Sequence, residues 1–339
     1  MKLHLHTFDL PLRHTFTISR GSMDVQPTLI VELEQEGHHG YGEATTNDYY
    51  GATLENMAAA LRHVEAELAG HTLDDPAGLW QALHPKLQAD PFAQCALDQA
   101  AWDLFGKLRG EPVWKLWGLS LEYLPLSNYT IGIDSIEKMV AKLLEFADWP
   151  IFKIKLGTAN DLDIVRELRR HTTATFRVDA NCGWTAQQTI DNSQALKTLG
   201  VEFIEQPLPA DRWDDMRRVF AESALPIIAD ESCQIESDVL RCAGYFHGIN
   251  IKLVKCGGLT PARRMIAAAR ARNMQVMVGC MTESTVGISA IAQLLPQLDY
   301  VDMDGAVLLA ADIADGVRLE RGVCHYPHVA GSGVTLKKA

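Results

Sequence analysis

The sequence predicts a (β/α) barrel preceded by a smaller α+β domain, and three observations carry that expectation. Seven short apolar runs, FKIK, FRVDAN, EFIEQP, PIIADES, INIKLVK, QVMVGC and YVDMDG, follow one another between Phe152 and Gly305. Their marker residues Lys155, Asp179, Glu205, Asp230, Lys252, Cys280 and Asp304 stand 22 to 28 residues apart, the period of one strand plus one helix. Strands that are apolar throughout and alternate with helices form parallel sheets with right-handed crossovers. Repetition without a break favours closure into a barrel, whose strands all end at one face. A chain of 339 residues holds such a barrel and one smaller domain.

From Met1 to about Glu43 the pattern reads as three strands, LHLHTFDLPL, TLIVELEQ and HHGYGEAT, with a tight turn at Glu36-Gly37. An antiparallel sheet is expected. His4 and His6 project from one face of the first strand. With no carboxylate or third ligand in view they read as a surface pair rather than a metal site. FTISRGSMDVQP, with Arg20 and Gly21, reads as a polar loop between the first two strands, and TTNDYYGATLEN as a second loop after the hairpin.

Residues 53 to 110 read as helices: LENMAAALRHVEAELAG has apolar residues at helical spacing, Asp74-Asp75-Pro76 makes a turn, and CALDQAAWDLFGKLRG stops at Gly110. Asp98 and Asp103 in the last helix read as capping or surface-pairing acids. The barrel begins with LPLSNYTIGI, its first helix starts at Ser135, and its eighth strand ends at Asp304-Gly305. These boundaries give a capping domain over 1–122, a barrel over 123–305, and a segment over 306–339 that returns to cover the N-terminal sheet.

Hydrophobic residues make up 47% and charged residues 22%, and no apolar run approaches the ~18 residues of a membrane span. The net charge of −12 opposes binding to nucleic acid or to an anionic membrane. Seven cysteines, none in a Cys-x-x-Cys pair, indicate neither a disulfide framework nor a zinc knuckle. No export signal is visible, so a cytoplasmic enzyme with a small-molecule partner is expected.

The strand ends carry the chemistry. Asp179, Glu205 and Asp230 close three consecutive strands, and three converging hard oxygen ligands call for a cation such as Mg²⁺. Lys153 and Lys155 lie two apart on one strand and face one side. Taken alone, a solvated rim would explain them; inside a barrel, repulsion and desolvation would lower a lysine pKa toward a usable base. Lys252 comes from the strand opposite, so an amine stands on each side of anything bound between. Lys255 is out of phase with Lys252 and reads as a rim or supporting residue. Gly257-Gly258 reads as a strand-to-helix turn, and Cys182, Cys233, Cys256 and Cys280 as small buried fillers.

In this order and spacing, Lys-x-Lys, VDAN, EQP, ADES and NIK resemble the enolase superfamily, in particular its muconate-lactonizing subgroup, over nearly the whole chain. The resemblance implies a barrel of the modified TIM type with a capping domain, Mg²⁺ on Asp179, Glu205 and Asp230, and Lys155 and Lys252 as the two acid/base residues. It also implies that Lys153 supports the enolate and tunes Lys155. VDMDG, with Asp302 and Asp304, resembles the dipeptide epimerases, where such a pair meets the substrate's α-ammonium group. FTISRG resembles the capping loop of those that act on L-Ala-D/L-Glu, which would pair Arg20 with a glutamate side chain. The implied activity is 1,1-proton transfer on the C-terminal residue of a dipeptide, L-Ala-D/L-Glu from peptidoglycan turnover being favoured. The alternatives are o-succinylbenzoate synthesis, N-acylamino acid racemization, muconate cycloisomerization, or a non-catalytic binding protein on a retained barrel. Barrels of this type often form homo-oligomers.

Overall fold

The computed structural model describes residues 1–18 and 21–338. Strands β1 (Lys2–Ile18), β2 (Gly21–Gln35) and β3 (His38–Thr45) form an antiparallel sheet in that order. Glu36 and Gly37, at φ 53° and 76°, make the tight turn between β2 and β3, both in the left-handed region that such turns require.

The FTISRGSMDVQP stretch corrects an expectation. Its described residues form the far end of a long two-stranded ribbon rather than a loop: Phe16, Thr17 and Ile18 pair with Met23, Ser22 and Gly21. Aromatic and β-branched side chains favour extended backbone, and the Thr15–Asp24 (2.6 Å) and Thr17–Ser22 (2.8 Å) cross-strand hydrogen bonds fasten it. Its polar composition hid the strand because the ribbon projects from the sheet with most of its side chains exposed. Ser19 and Arg20 lie outside the described residues.

Leu29, Val31 and Leu33 of β2 are fully buried in the core that also holds the helix Pro91–Arg109. That helix starts at the Asp90 cap, which accepts from Ala93 N at 2.9 Å, and ends at Gly110 with φ 69°. Ala96 and Ala100 let β3 come close: a Cβ on Gly42 would sit 2.0 Å from the Ala96 carbonyl oxygen. Asp98 and Asp103 on this helix are buried rather than at the surface, because nearly every side of the helix is covered. Asp103 accepts from Tyr41 N (2.9 Å), Lys107 (2.7 Å) and Ser332 N (2.7 Å), tying together the sheet, the helix and the C-terminal segment.

Eight parallel strands follow: β4 (Tyr129–Ile131), β5 (Ile151–Lys155), β6 (Thr175–Asp179), β7 (Val201–Glu205), β8 (Ile227–Ala229), β9 (Gly248–Ile251), β10 (Gln275–Gly279) and β11 (Tyr300–Asp302). They pair in sequence order, and a parallel bridge between Ser127 and Val301 brings the two ends together into a nearly closed barrel. Helices cross over between successive strands, while β11 is followed by a 3₁₀ turn, Gly305–Leu308. The helix Ile136–Glu145 begins at the Ser135 cap. At the closed end Phe203, Ile228 and Met277 pack with Tyr300, and the Arg177 guanidinium lies over the Phe203 and Tyr300 rings.

Beyond the barrel the chain touches the N-terminal domain repeatedly. Ala310 N donates to Pro11 O (2.8 Å), Val113 N to Gly331 O (2.9 Å) and Lys107 Nζ to Val334 O (2.9 Å). No helix among the described residues is long and apolar enough to cross a membrane.

Candidate active site

The C-terminal ends of β5 to β9 deliver the charged residues to one place. Carboxylate oxygens of Asp179, Glu205 and Asp230 lie within 4.8 Å of one another, and all three side chains are buried. Their strands are neighbours, so the cluster follows directly from sheet order. Lys155 stands on one side, its Nζ 2.6 Å from Asp179 Oδ2, and Lys252 on the other, 3.1 Å from Asp230 Oδ2. β5 and β9 are four strands apart in an eight-stranded barrel. The two amines therefore face each other across the acid cluster.

Lys153 sits one layer deeper. Its Nζ is 2.7 Å from Glu205 Oε2, 2.8 Å from Asp302 Oδ2 and 3.2 Å from Asp179 Oδ2. The expected lowering of its pKa is reversed: burial disfavours the ammonium, but Asp302, Glu205 and Asp179 outweigh it and hold Lys153 well above the usual lysine range. The sequence argument counted the neighbouring lysine and not the three carboxylates on adjoining strands. Lys252 is likewise raised, burial being outweighed by Asp230.

The carboxylates divide. Burial pushes all of them up; Lys155 and Lys153 bring Asp179 below its ordinary value, and Lys252 and Lys255 do the same for Asp230. In Glu205, burial and the Asp179 charge prevail, and its carboxyl is pushed up to about 7. Its Oε1 accepts from Asn250 Nδ2 at 2.8 Å, whereas the buried Oε2 faces Lys153 without hydrogen-bond alignment. Three buried, mutually close hard-oxygen groups, one of them with an unsatisfied oxygen, fit a divalent cation of the Mg²⁺ type.

On β11, Asp302 accepts from Asn128 Nδ2 (2.7 Å) as well as from Lys153, and Asp304 accepts from Thr130 N (2.5 Å). Burial opposes ionization of both; Lys153 overcomes it in Asp302, while the Asp302 charge adds to it in Asp304, which is pushed well above the carboxylate range. Both aspartates line a cavity of roughly 730 Å³, counting its open mouth, together with Lys153, Lys155, Asp230 and Lys252. Phe16, Ile18 and Met23 of the ribbon and Asn47 and Tyr50 of the loop after β3 close it from the N-terminal side. Arg20 lies outside the described residues.

Asn250, Lys255, Gln206 and Asn181 support this site, and of these the strand-end reading singled out only Lys255, as a rim or supporting residue. Asn250 lies two positions before Lys252 on the same inward face, a spacing that could have flagged it. Lys255 is buried behind the cluster, not on the rim: its Nζ donates to Asp230 Oδ1 (2.6 Å), Asp230 O (2.6 Å) and Cys233 O (3.1 Å). Gln206 at φ 32° and Asn181 at φ 43° follow the Glu205 and Asp179 strands directly, backbone strain of the kind that collects at functional turns. Gln206 Oε1 accepts from Asp230 N (2.9 Å) and Ser232 N (3.1 Å). Of the four cysteines expected as buried fillers, Cys233 and Cys256 are buried, whereas Cys182 and Cys280 are partly exposed and Cys280 lines the cavity. A strand-end position faces the barrel mouth whatever residue occupies it.

Residues 135–339 match the family described as enolase C-terminal domain-like, and residues 3–118 the mandelate racemase / muconate lactonizing enzyme N-terminal domain. The L-Ala-D/L-amino acid epimerase of Flavobacterium johnsoniae is 56% identical over 336 residues, spanning 99% of this chain and 100% of that protein. The L-Ala-D/L-Glu epimerase of Bacteroides thetaiotaomicron is 41% identical, covering 98% of this chain and 88% of its own. Among solved structures, the dipeptide epimerase from Cytophaga hutchinsonii complexed with Mg and the dipeptide D-Ala-L-Val superposes with a TM-score of 0.94 at 26% identity, covering 99% of this chain and 95% of that one.

Proposed function

This chain belongs to the mandelate racemase / muconate lactonizing enzyme family of the enolase superfamily, and from that membership we propose that it is a Mg²⁺-dependent dipeptide epimerase acting at the α-carbon of the C-terminal residue. The observation that carries the reading is the pair Lys155 and Lys252 on opposite strands, flanking three clustered carboxylates, with Asp302 and Asp304 on the remaining wall.

Asp179, Glu205 and Asp230 would hold the metal. The ion held there would supply positive charge that lowers the barrier to removing a proton α to a carboxylate. The chain's own groups do the rest. Asp302 and Asp304 receive the substrate's α-ammonium group, their orientation fixed by Asn128, Lys153 and Thr130. One of Lys155 and Lys252, in its amine form, takes the α-proton from one face; the other, as ammonium, returns a proton to the opposite face. The Lys153 ammonium supports the negative charge that develops on the carboxylate between these steps.

The favoured substrate is L-Ala-D/L-Glu, with Arg20 pairing to the glutamate side chain. Phe16, Ile18, Met23 and Leu308 in the cavity wall support a second reading, in which apolar C-terminal residues are accepted as well. Muconate cycloisomerization and o-succinylbenzoate synthesis fit less well, because their substrates carry no ammonium group for Asp302 and Asp304 to meet. Seven free cysteines suit work in a reducing cytoplasm.

The test is incubation of the enzyme with Mg²⁺ and L-Ala-L-Glu, L-Ala-L-Leu or L-Ala-L-Lys in D₂O, followed by proton NMR. Loss of the second residue's α-proton signal with growth of the diastereomer is expected, and chelation should stop both. No exchange with any alanyl dipeptide, or exchange that survives chelation, would refute the proposal.

A further inference from the structure

The sequence left His4 and His6 without a carboxylate or a third ligand, and the fold supplies both. His6 on β1, Glu32 on β2 and His39 on β3 meet on the outer face of the N-terminal sheet. His6 Nε2 lies 2.7 Å from Glu32 Oε2, and His39 Nδ1 lies 2.6 Å from Glu32 Oε1. His4 stands beside them, its Nε2 3.2 Å from Glu34 Oε2. The Glu32 side chain is 14% exposed, against 38% for His6 and 43% for His39, so the carboxylate is the most enclosed of the three and the imidazoles are open to solvent.

We propose that His6, Glu32 and His39 form a second metal site, selective for Zn²⁺ over Mg²⁺ and distinct from the barrel centre. Two imidazole nitrogens and one carboxylate are the donor set of many open zinc sites, with bonds of about 2.0 to 2.2 Å and solvent in the fourth position. Mg²⁺ prefers oxygen ligands and has little affinity for imidazole. Each nitrogen now sits on a separate oxygen of Glu32, so binding requires both rings to leave those hydrogen bonds and converge on one ion. The bound ion would cross-link β1 to β3 over the top of β2, tying the edge strand that runs into the ribbon at the cavity mouth.

Zn²⁺ also has affinity for the barrel carboxylates and for Cys280, so the measurement is made on Mg²⁺-saturated protein. Equilibrium dialysis against Zn²⁺ with saturating Mg²⁺ kept in the dialysis buffer should load one Zn²⁺ more per chain on the wild type than on the double variant His6→Gln/His39→Gln, and either single variant should weaken that site roughly tenfold or more. Both histidines are at the surface and remote from the cavity, so the double variant should fold and turn over substrate as the wild type does. Anomalous diffraction at the zinc edge should place a peak bounded by His6, Glu32 and His39. Equal Zn²⁺ stoichiometry in wild type and double variant, or peaks confined to the barrel carboxylates and Cys280, would overturn the proposal.

Discussion

Replacing Lys255 by Met should cost stability far more than chemistry. The Lys255 ammonium is buried and donates to Asp230 Oδ1, Asp230 O and Cys233 O, so all three of its protons are used. Methionine keeps most of the apolar stem while removing the ammonium donor from Asp230 Oδ1, Asp230 O and Cys233 O, of which Asp230 O still accepts from Cys233 N at 3.1 Å. Removing one partner of a buried ion pair costs about 3 to 5 kcal/mol. Asp230 retains Lys252 at 3.1 Å, which places the loss near the lower end, about 3 kcal/mol. At ~2 to 4 °C per kcal/mol for a large domain, Tm should fall by about 6 to 12 °C. Differential scanning fluorimetry at one fixed scan rate for both proteins measures this. A second sign separates the ion pair from a packing defect: Asp230 no longer shares its charge with Lys255, so Mg²⁺ should raise Tm more in the variant than in the wild type. A variant that melts within about 2 °C of wild type, or gains less from Mg²⁺, would refute the reasoning.

Lys252→Ala and Lys155→Ala should each abolish epimerization while solvent deuterium still enters a single stereoisomer through the remaining lysine, a different isomer in each variant; full turnover in either would remove that lysine from the mechanism. If Arg20 pairs with the glutamate side chain as proposed, Arg20→Ala should lower kcat/KM for Ala-Glu by roughly 30-fold or more, about 2 kcal/mol for a lost charge pair, and leave Ala-Leu little changed; equal effects on both substrates would remove Arg20 from the specificity reading. Asp98, driven up to about 7 chiefly by burial, binds its proton more tightly folded than unfolded. Its contribution is therefore fully present below about pH 4 and is lost as pH rises toward 7. Asp98→Asn should flatten that part of the Tm against pH curve, and an unchanged slope would show that another group sets it.

Much of the barrel was legible because its signals are local. Each strand is a short apolar run closed by a polar residue, and the strand-plus-helix period places Asp179, Glu205 and Asp230 side by side once the strands pair in order. Caps work the same way: Ser135 and Gly110 mark helix ends through bonds within a turn of themselves. The ribbon formed by Phe16–Ile18 and Gly21–Met23 was not legible for the opposite reason, since its pairing, not its hydrophobicity, makes it a strand. What only the tertiary structure decided are the contacts between residues distant in sequence whose side chains must converge. Lys255 appeared out of phase on an extended strand, but the chain turns helical at Leu253–Cys256 and swings its ammonium behind Asp230. Asp98 looked like a surface acid until the helix Leu259–Arg270 packed its exposed amide ends against it, with Thr260 N 2.8 Å from Asp98 Oδ2. The raised state of Lys153 and the meeting of His6, Glu32 and His39 depend on which faces adjoining strands present and how far their side chains reach. A one-dimensional pattern records the period of a strand, whereas charge and coordination depend on distances across strands that only the packed sheet sets.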